Sequence, residues 1–227
     1  MHLLRKFGAL TLLAALFAGP AQASFIWNEI GAGQLPGTAE ITAGSGFLSQ
    51  INGHLNYDGN TSLWGVDLYA IRIVDGATFT ASTAAGSANM DDPALYLFDS
   101  SGMGLYMNND SSLTDFNATL PTGSAFGPVS AGLYYLGIAW GFSDALSFDS
   151  IFSLDQFLDT TGVYGPTGPG GAVALASWNA AGPVNFDLPS DYTINLRGAV
   201  GAIPEPGTLA LVLVAAAGAI ARRRRFQ

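Results

Sequence analysis

The chain contains no cysteine, which excludes disulfide bonds, thiol nucleophiles and thiolate metal sites. His54 is the only histidine beyond the first few residues, so a metal site that needs two histidines is excluded as well. Basic residues are also scarce. Between residues 24 and 203 only Arg72 and Arg197 stand against 16 acids, a net charge of −14 for that segment. Such a charge repels phosphate backbones, argues against nucleic acid as a partner, and favours cations.

The N-terminal segment, residues 1–23, has the pattern of a secretory signal peptide. Arg5 and Lys6 give it a positive start, an apolar run follows at 7–18, and Ala21-Gln22-Ala23 forms a small-residue cleavage site. The run is shorter than the roughly 20 residues that span a bilayer. We therefore expect export across the inner membrane and a cut by signal peptidase after Ala23. A retained membrane helix is the alternative.

The C-terminal segment, residues 204–227, has three parts. Pro204-Glu205-Pro206 comes first, an apolar stretch at 208–221 follows, and Arg222, Arg223, Arg224 and Arg225 come near the end. A stretch that is apolar on all faces predicts a membrane helix, with the arginines at the cytoplasmic head groups. Its 14 residues span about 21 Å as a helix, less than the roughly 30 Å hydrocarbon thickness, so the anchor is expected to be marginal. The two prolines cannot continue the helix and leave an extended backbone for an enzyme to bind.

These three parts resemble the PEP-CTERM sorting signal of Gram-negative bacteria. The resemblance implies exosortase, a membrane cysteine protease or transpeptidase, as a partner that cuts near Pro204-Glu205-Pro206 in the periplasm. It also implies a body held transiently at the inner membrane and then delivered to the cell surface or extracellular matrix. An ordinary C-terminal tail anchor is the alternative.

The body, residues 24–203, has the pattern of an all-β domain. Short alternating or β-rich runs are separated by Asp, Asn, Ser and Gly turns, and no amphipathic helix lies between them. The runs are 47–55, 66–74, 77–82, 94–98, 132–140, 147–154, 173–178 and 192–200. Their spacing predicts a single two-sheet sandwich or jelly roll, flanked by the signal helix and the C-terminal membrane helix. The run 66–74 has no polar face, which indicates a strand covered on both sides. The Gly/Pro-rich segment 165–171 predicts a surface loop, after which the chain rejoins the same domain.

A second resemblance covers residues 47–140. Its motifs resemble the bacterial pre-peptidase C-terminal domain, a non-catalytic β-sandwich that binds calcium or polymers in some members. The motifs are Ile51-Asn52-Gly53-His54-Leu55, Asp67-Leu68-Tyr69-Ala70-Ile71, the segment 92–102, Asn109-Asp110 and Ala131-Gly132-Leu133-Tyr134-Tyr135-Leu136. The resemblance implies a binding module rather than an active site.

A hairpin of 94–98 with 103–107 predicts a cation site at its open end. If Asp99 faces Gly102 across the turn, Asp92 lies opposite Asn109 and Asp91 opposite Asp110. Hard oxygen ligands from adjacent loops are what Ca²⁺ requires. The alternative is a set of solvated turn residues, and no other cofactor is expected.

The sequence gives little indication of a catalytic site. His54 has no G-x-S-x-G elbow to accompany it, and 16 acids guarantee some carboxylate pairs without selecting one. The aromatic residues Trp27, Trp64, Trp140 and Trp178 suit a sugar-stacking platform, although core packing is the more ordinary role.

The sequence thus predicts an exported, non-catalytic surface or matrix protein associated with exopolysaccharide or biofilm. The alternatives are a calcium-dependent module that binds carbohydrate or protein, and an exported hydrolase with an unrecognised acid pair.

Overall fold

The computed structural model describes residues 23–58, 63–84, 89–153, 161–180, 182 and 190–204. These residues form strands and turns and no helix, which confirms the all-β class. The signal helix and the helix at 208–221 lie outside the described residues. The strands are β1 (Ser24–Asn28), β2 (Glu40–Ile41), β3 (Ala43–Gly44), β4 (Phe47–His54), β5 (Tyr57–Asp58), β6 (Leu63–Trp64), β7 (Asp67–Ile73), β8 (Thr80–Thr83), β9 (Pro93–Asp99), β10 (Gly104–Asn108), β11 (Thr119–Leu120), β12 (Gly132–Trp140), β13 (Asp144–Leu146), β14 (Val163–Tyr164), β15 (Ser177–Asn179), β16 (Asp191–Arg197), β17 (Ala199–Gly201) and β18 (Ile203–Pro204).

Most of these strands belong to one continuous sheet, in the order β11-β8-β16-β4-β17-β7-β12-β9-β10-β14. The expected architecture had two separate sheets, and the difference arises at β17. Val200 pairs with Phe47 of β4 and with Arg72 of β7, which joins the two halves through backbone hydrogen bonds. The sheet curls until its ends nearly meet, where the Thr119 amide donates to Oδ1 of Asn108 at 2.7 Å.

The curled sheet buries side chains on both of its faces. Tyr69 and Ile71 of β7 and Leu136 of β12 point into a core that the sheet encloses. Leu68 of β7 and Tyr96 of β9 point outward into a second core, which is covered by the chain around Phe152 and Trp178. Every residue of β7 except Arg72 is buried. This confirms that run 66–74 forms a strand covered on both sides.

Several predicted strands are shorter or shifted in the structure. The described part of run 147–154 forms bends rather than a strand, and run 173–178 is strand only from Ser177 onward. Run 192–200 is divided between β16 and β17. The segment 165–171 is a turn-rich loop, as expected, and the chain after it returns to the same sheet.

Gly198 makes the division between β16 and β17 possible. Its φ is +74°, a left-handed conformation, and a Cβ there would lie 3.0 Å from backbone atoms of Phe79. We expect Gly198→Ala to lower the free energy of unfolding by about 1–2 kcal/mol in urea denaturation, because L side chains are strained at positive φ. Gly31→Ala is the matched control, since nothing lies within 4 Å of a Cβ at Gly31. Equal stability of the two variants would contradict this role.

Candidate functional site

The hairpin of β9 and β10 forms, but its register differs from the expected one. The turn puts Asp99 opposite Met103, whose carbonyl accepts from the Asp99 amide at 2.9 Å, and the register shifts again between Gly104 and Tyr106. Leu97 therefore lies opposite Tyr106 and Leu95 opposite Asn108. This is a displacement of two residues, so the predicted pairings of Asp92 with Asn109 and of Asp91 with Asp110 are wrong.

Asp92 and Asn109 nevertheless meet, through a third strand. Asp92 immediately precedes β9, Asn109 follows β10, and Gly141 follows β12, so all three lie at one end of the sheet. The Gly141 amide donates to the Asp92 carbonyl at 2.8 Å. Oδ1 of Asp92 and Oδ1 of Asn109 each lie 2.4 Å from the position that a Cβ would take at Gly141. Both oxygens are buried and have no hydrogen-bond partner.

The carboxyl groups around this point affect one another electrostatically. The pKa of Asp92 is raised to about 6, first by burial and then by the negative charges of Asp110 and Asp91. Asp110 is buried, whereas Asp91 is exposed and acts on Asp92 through its charge. Within the described ranges, no group of three or more His, Asp and Glu side chains is arranged to hold a metal ion. The structure therefore brings Asp92, Asn109 and Asp110 together and leaves Asp91 at the surface.

A second candidate site is a cavity of about 390 Å³ beside the start of β7. Its aromatic lining is Tyr57, Trp64 and Trp178, and its polar lining includes Gln34, Asn56 and Asp67. The Trp64 ring packs against Tyr57 at a centroid distance of 5.4 Å. The Trp178 indole N–H donates to the Gln34 carbonyl at 2.7 Å, which fixes this ring at the cavity wall.

The four tryptophans divide between two roles. Trp64 and Trp178 line the cavity, whereas Trp140 is buried behind Trp64 at a centroid distance of 5.3 Å. Trp27 lies on β1, where its indole N–H donates to Oε1 of Glu40 at 2.9 Å. Two of the four residues proposed for a sugar platform therefore share one site.

Asp67 connects the cavity to a buried polar network. The Tyr192 hydroxyl donates to Oδ2 of Asp67 at 2.6 Å and is hydrogen bonded to the Tyr69 hydroxyl. The pKa of Asp67 is raised to about 8, mainly by burial; the Tyr192 hydrogen bond opposes the increase, and the nearby carboxyls of Glu29 and Glu40 contribute to it. At neutral pH the Asp67 side chain is therefore mostly an uncharged acid, which both donates and accepts hydrogen bonds.

Sequence reasoning missed this network because its members are far apart along the chain. Tyr192 and Asp67 are separated by 125 residues. The one available signal was an Asp at the start of a strand with no polar face, since a carboxyl among buried residues needs a partner.

His54, Ser190 and Asp191 also meet, at the exposed end of β4. Nδ1 of His54 lies 2.6 Å from Oδ1 of Asp191. The Ser190 hydroxyl lies 3.2 Å from Nε2 and 3.4 Å from Nδ1 of the same ring. A hydroxyl that binds Nε2 in the plane of the ring would lie much farther from Nδ1 than from Nε2, because the two nitrogens are on different edges of the ring. The nearly equal distances show that the Ser190 hydroxyl does not lie in that direction. The Ser190 hydroxyl is therefore not placed for proton transfer to His54 in this arrangement.

The two predicted processing sites lie at the borders of the described body. Ala23 is exposed, and its carbonyl accepts from the Phe47 amide at 2.9 Å. Pro204 belongs to β18, which pairs in parallel with β3, while Glu205, Pro206 and Arg222 to Arg225 lie outside the described residues. Within the part of the chain that the structure describes, no helix is long and apolar enough to cross a membrane.

Residues 202–225 match the family model of the PEP-CTERM protein-sorting motif. The motif supports an exported protein that is anchored at a membrane for sorting and processed by exosortase. No curated protein and no solved structure matches the chain. The resemblance of residues 47–140 to the pre-peptidase C-terminal domain therefore has no support from these comparisons.

Proposed function

We propose that this chain is a non-catalytic protein of the extracellular polysaccharide layer, and that its body binds polysaccharide in the cavity lined by Tyr57, Trp64 and Trp178. After signal peptidase and exosortase have acted, the body joins the cell surface or the biofilm matrix. The observation that carries the proposal is the cavity itself, in which aromatic rings and hydrogen-bonding groups face the same space.

The lining of the cavity suits a sugar. The C–H faces of a pyranose ring pack well on aromatic rings, and its hydroxyls need partners that donate and accept. Asn56 and Gln34 offer such groups, and Asp67 in its neutral form offers one more. The volume of about 390 Å³ lies within the ordinary range of small-molecule sites, roughly 300–1,000 Å³.

The geometry of the acid groups favours binding over hydrolysis. Asp67 and Glu29 are both close to the Tyr192 hydroxyl, which lies 2.6 Å from Oδ2 of Asp67 and 3.5 Å from Oε2 of Glu29. A retaining glycosidase separates its two carboxyls by about 5–5.5 Å and an inverting one by more, so that the sugar fits between them. The Tyr192 hydroxyl contacts both carboxyls and Glu29 does not line the cavity, so these two acids do not flank a sugar bound there.

The test is binding of the host's exopolysaccharide by the full chain in detergent, measured by calorimetry. We expect Trp178→Ala to weaken binding about tenfold or more, because a stacked ring loses its aromatic partner. Phe116→Ala is the matched control, since Phe116 is an exposed aromatic residue outside the cavity. Asn56→Ala provides a second cavity variant at an exposed position, which leaves the core unchanged.

Two results would contradict the proposal. One is a wild-type chain that does not bind the polysaccharide, and the other is equal loss of binding in Trp178→Ala and Phe116→Ala. Release of reducing ends from the polysaccharide by the wild-type chain would instead identify a hydrolase.

A further inference from the structure

The end of the sheet formed by Asp92, Asn109 and Gly141 presents an electrostatic problem. Asp92 Oδ1 and Asn109 Oδ1 are both acceptors, both are buried, and both face the same small space beside Gly141. Neither has a donor to bind. Buried acceptors without donors cost free energy, and Asp110 adds a second carboxylate close by. A bound cation would satisfy both acceptors and offset the charge of the neighbouring carboxylate.

We propose that Asp92, Asn109 and Asp110 form a site for a hard divalent cation, specifically Ca²⁺, at this end of the sheet. The donors are two carboxyl groups and a carboxamide, and oxygen donors of this kind select Ca²⁺ over transition metals, which prefer nitrogen and sulfur. Asn109 is only 2% exposed, so the surrounding protein fixes the position of its side-chain oxygen and bulk solvent does not reach it. The site uses fewer protein oxygens than the six to eight that Ca²⁺ takes, and water completes the shell.

Glycine at position 141 is part of the argument. Its Cα lies beside both oxygens, and any Cβ would approach each of them to 2.4 Å, a distance that real contacts do not reach. The absence of a side chain at 141 therefore keeps the space between the two oxygens open.

The competing explanation is a direct hydrogen bond between the two side chains. If the Asn109 amide were rotated by half a turn, its N–H would donate to Asp92 and no ion would be needed. The two explanations differ in their response to Asn109→Asp. A second carboxylate strengthens a calcium site, whereas it breaks a hydrogen bond and adds repulsion in the absence of an ion.

The experiment uses the full chain in detergent, with CaCl₂, MgCl₂ or EDTA added to metal-free protein. We expect 1 mM CaCl₂ to raise Tm by at least about 5 °C relative to EDTA, which is the shift for an ion present at about a hundred times its Kd. We expect calorimetry to find one Ca²⁺ bound per chain. Asp92→Asn should reduce the shift to near zero, and Asn109→Asp should increase it. Asp115→Asn is the control, because Asp115 is an exposed acid elsewhere and its replacement should leave the calcium shift unchanged.

The wild-type measurement needs no variant to fold, so it decides the proposal alone. Equal Tm in CaCl₂ and EDTA would overturn it. So would a calcium shift that Asp92→Asn retains, because the ion would then bind elsewhere. Destabilisation of Asn109→Asp in saturating calcium would favour the hydrogen bond.

Discussion

Replacing Asp67 by Asn is expected to remove a large loss of stability that the protein undergoes as the pH rises to about 8. The pKa of Asp67 is raised from 3.8 to about 8 in the folded state, first of all by burial. Asn has the shape of the neutral acid, accepts the same hydrogen bond from Tyr192 and does not ionise. The variant therefore mimics the low-pH form of the site at every pH.

The direction of the effect follows from proton binding. Between pH 3.8 and about 8 the folded chain holds the Asp67 proton and the unfolded chain does not. The stabilisation from neutral Asp67 is therefore fully present below pH 3.8, declines as the pH rises, and is lost above about pH 8. Asp92, with its pKa raised to about 6, adds a smaller decline in the same direction.

The measurement is the free energy of unfolding in urea at several pH values. The difference in pKa corresponds to a cost on the order of 5 kcal/mol above pH 8, so Asp67→Asn should become more stable than the wild type by an increasing margin. Asp75→Asn is the control, because Asp75 is exposed and Asn keeps a side-chain oxygen that can accept from the Ala77 amide. Parallel pH profiles for the wild type and Asp67→Asn would show that Asp67 is ionised in the folded state.

Local pattern predicted the strands that are longest and most buried. The runs at β7, β9 and β12 are visible in the sequence because aliphatic and aromatic residues make up most of each. Their arrangement in one sheet was not predictable. It depends on β17, a strand of three residues that bridges two long ones after the left-handed turn at Gly198.

For the candidate cation site, the sequence identified residues that do lie close together but predicted the wrong strand pairing for them. The sequence selected Asp92, Asn109 and Asp110 on the assumption of a regular hairpin, yet the turn and a bulge near Leu105 together move β10 by two residues. The residues converge because β12 ends beside β9 and places Gly141 between them. A pairing of strands so far apart in the chain leaves no local signal, and the same reason hides the network of Asp67 with Tyr192.

The sorting motif meets the folded body without an intervening spacer. The matched residues begin at 202, where the Ala202 amide donates to Oγ1 of Thr42 at 3.1 Å and the Ile203 amide donates to the Thr42 carbonyl at 3.2 Å. Thr42 is itself buried and bonded to β7 through the Ala70 carbonyl at 2.8 Å. The first residues of the motif, up to Pro204 of β18, are therefore held by the fold, and we expect processing to act on the chain after them.

We expect the double substitution Glu205→Ala and Pro206→Ala to prevent processing and to keep the chain at full length in the membrane fraction. The substitutions remove the side chains that give the Pro204-Glu205-Pro206 segment its motif, and we expect the apolar residues 208–221 and the arginines after them to keep the chain in the membrane. Fractionation of host cells with an antibody against the body measures the outcome. Gln227→Ala is the control, because position 227 lies beyond the matched residues 202–225, and this variant should yield the shortened body as the wild type does. If the double variant were shortened and released like the wild type, the tail would act as a simple anchor and another protease would have to free the body.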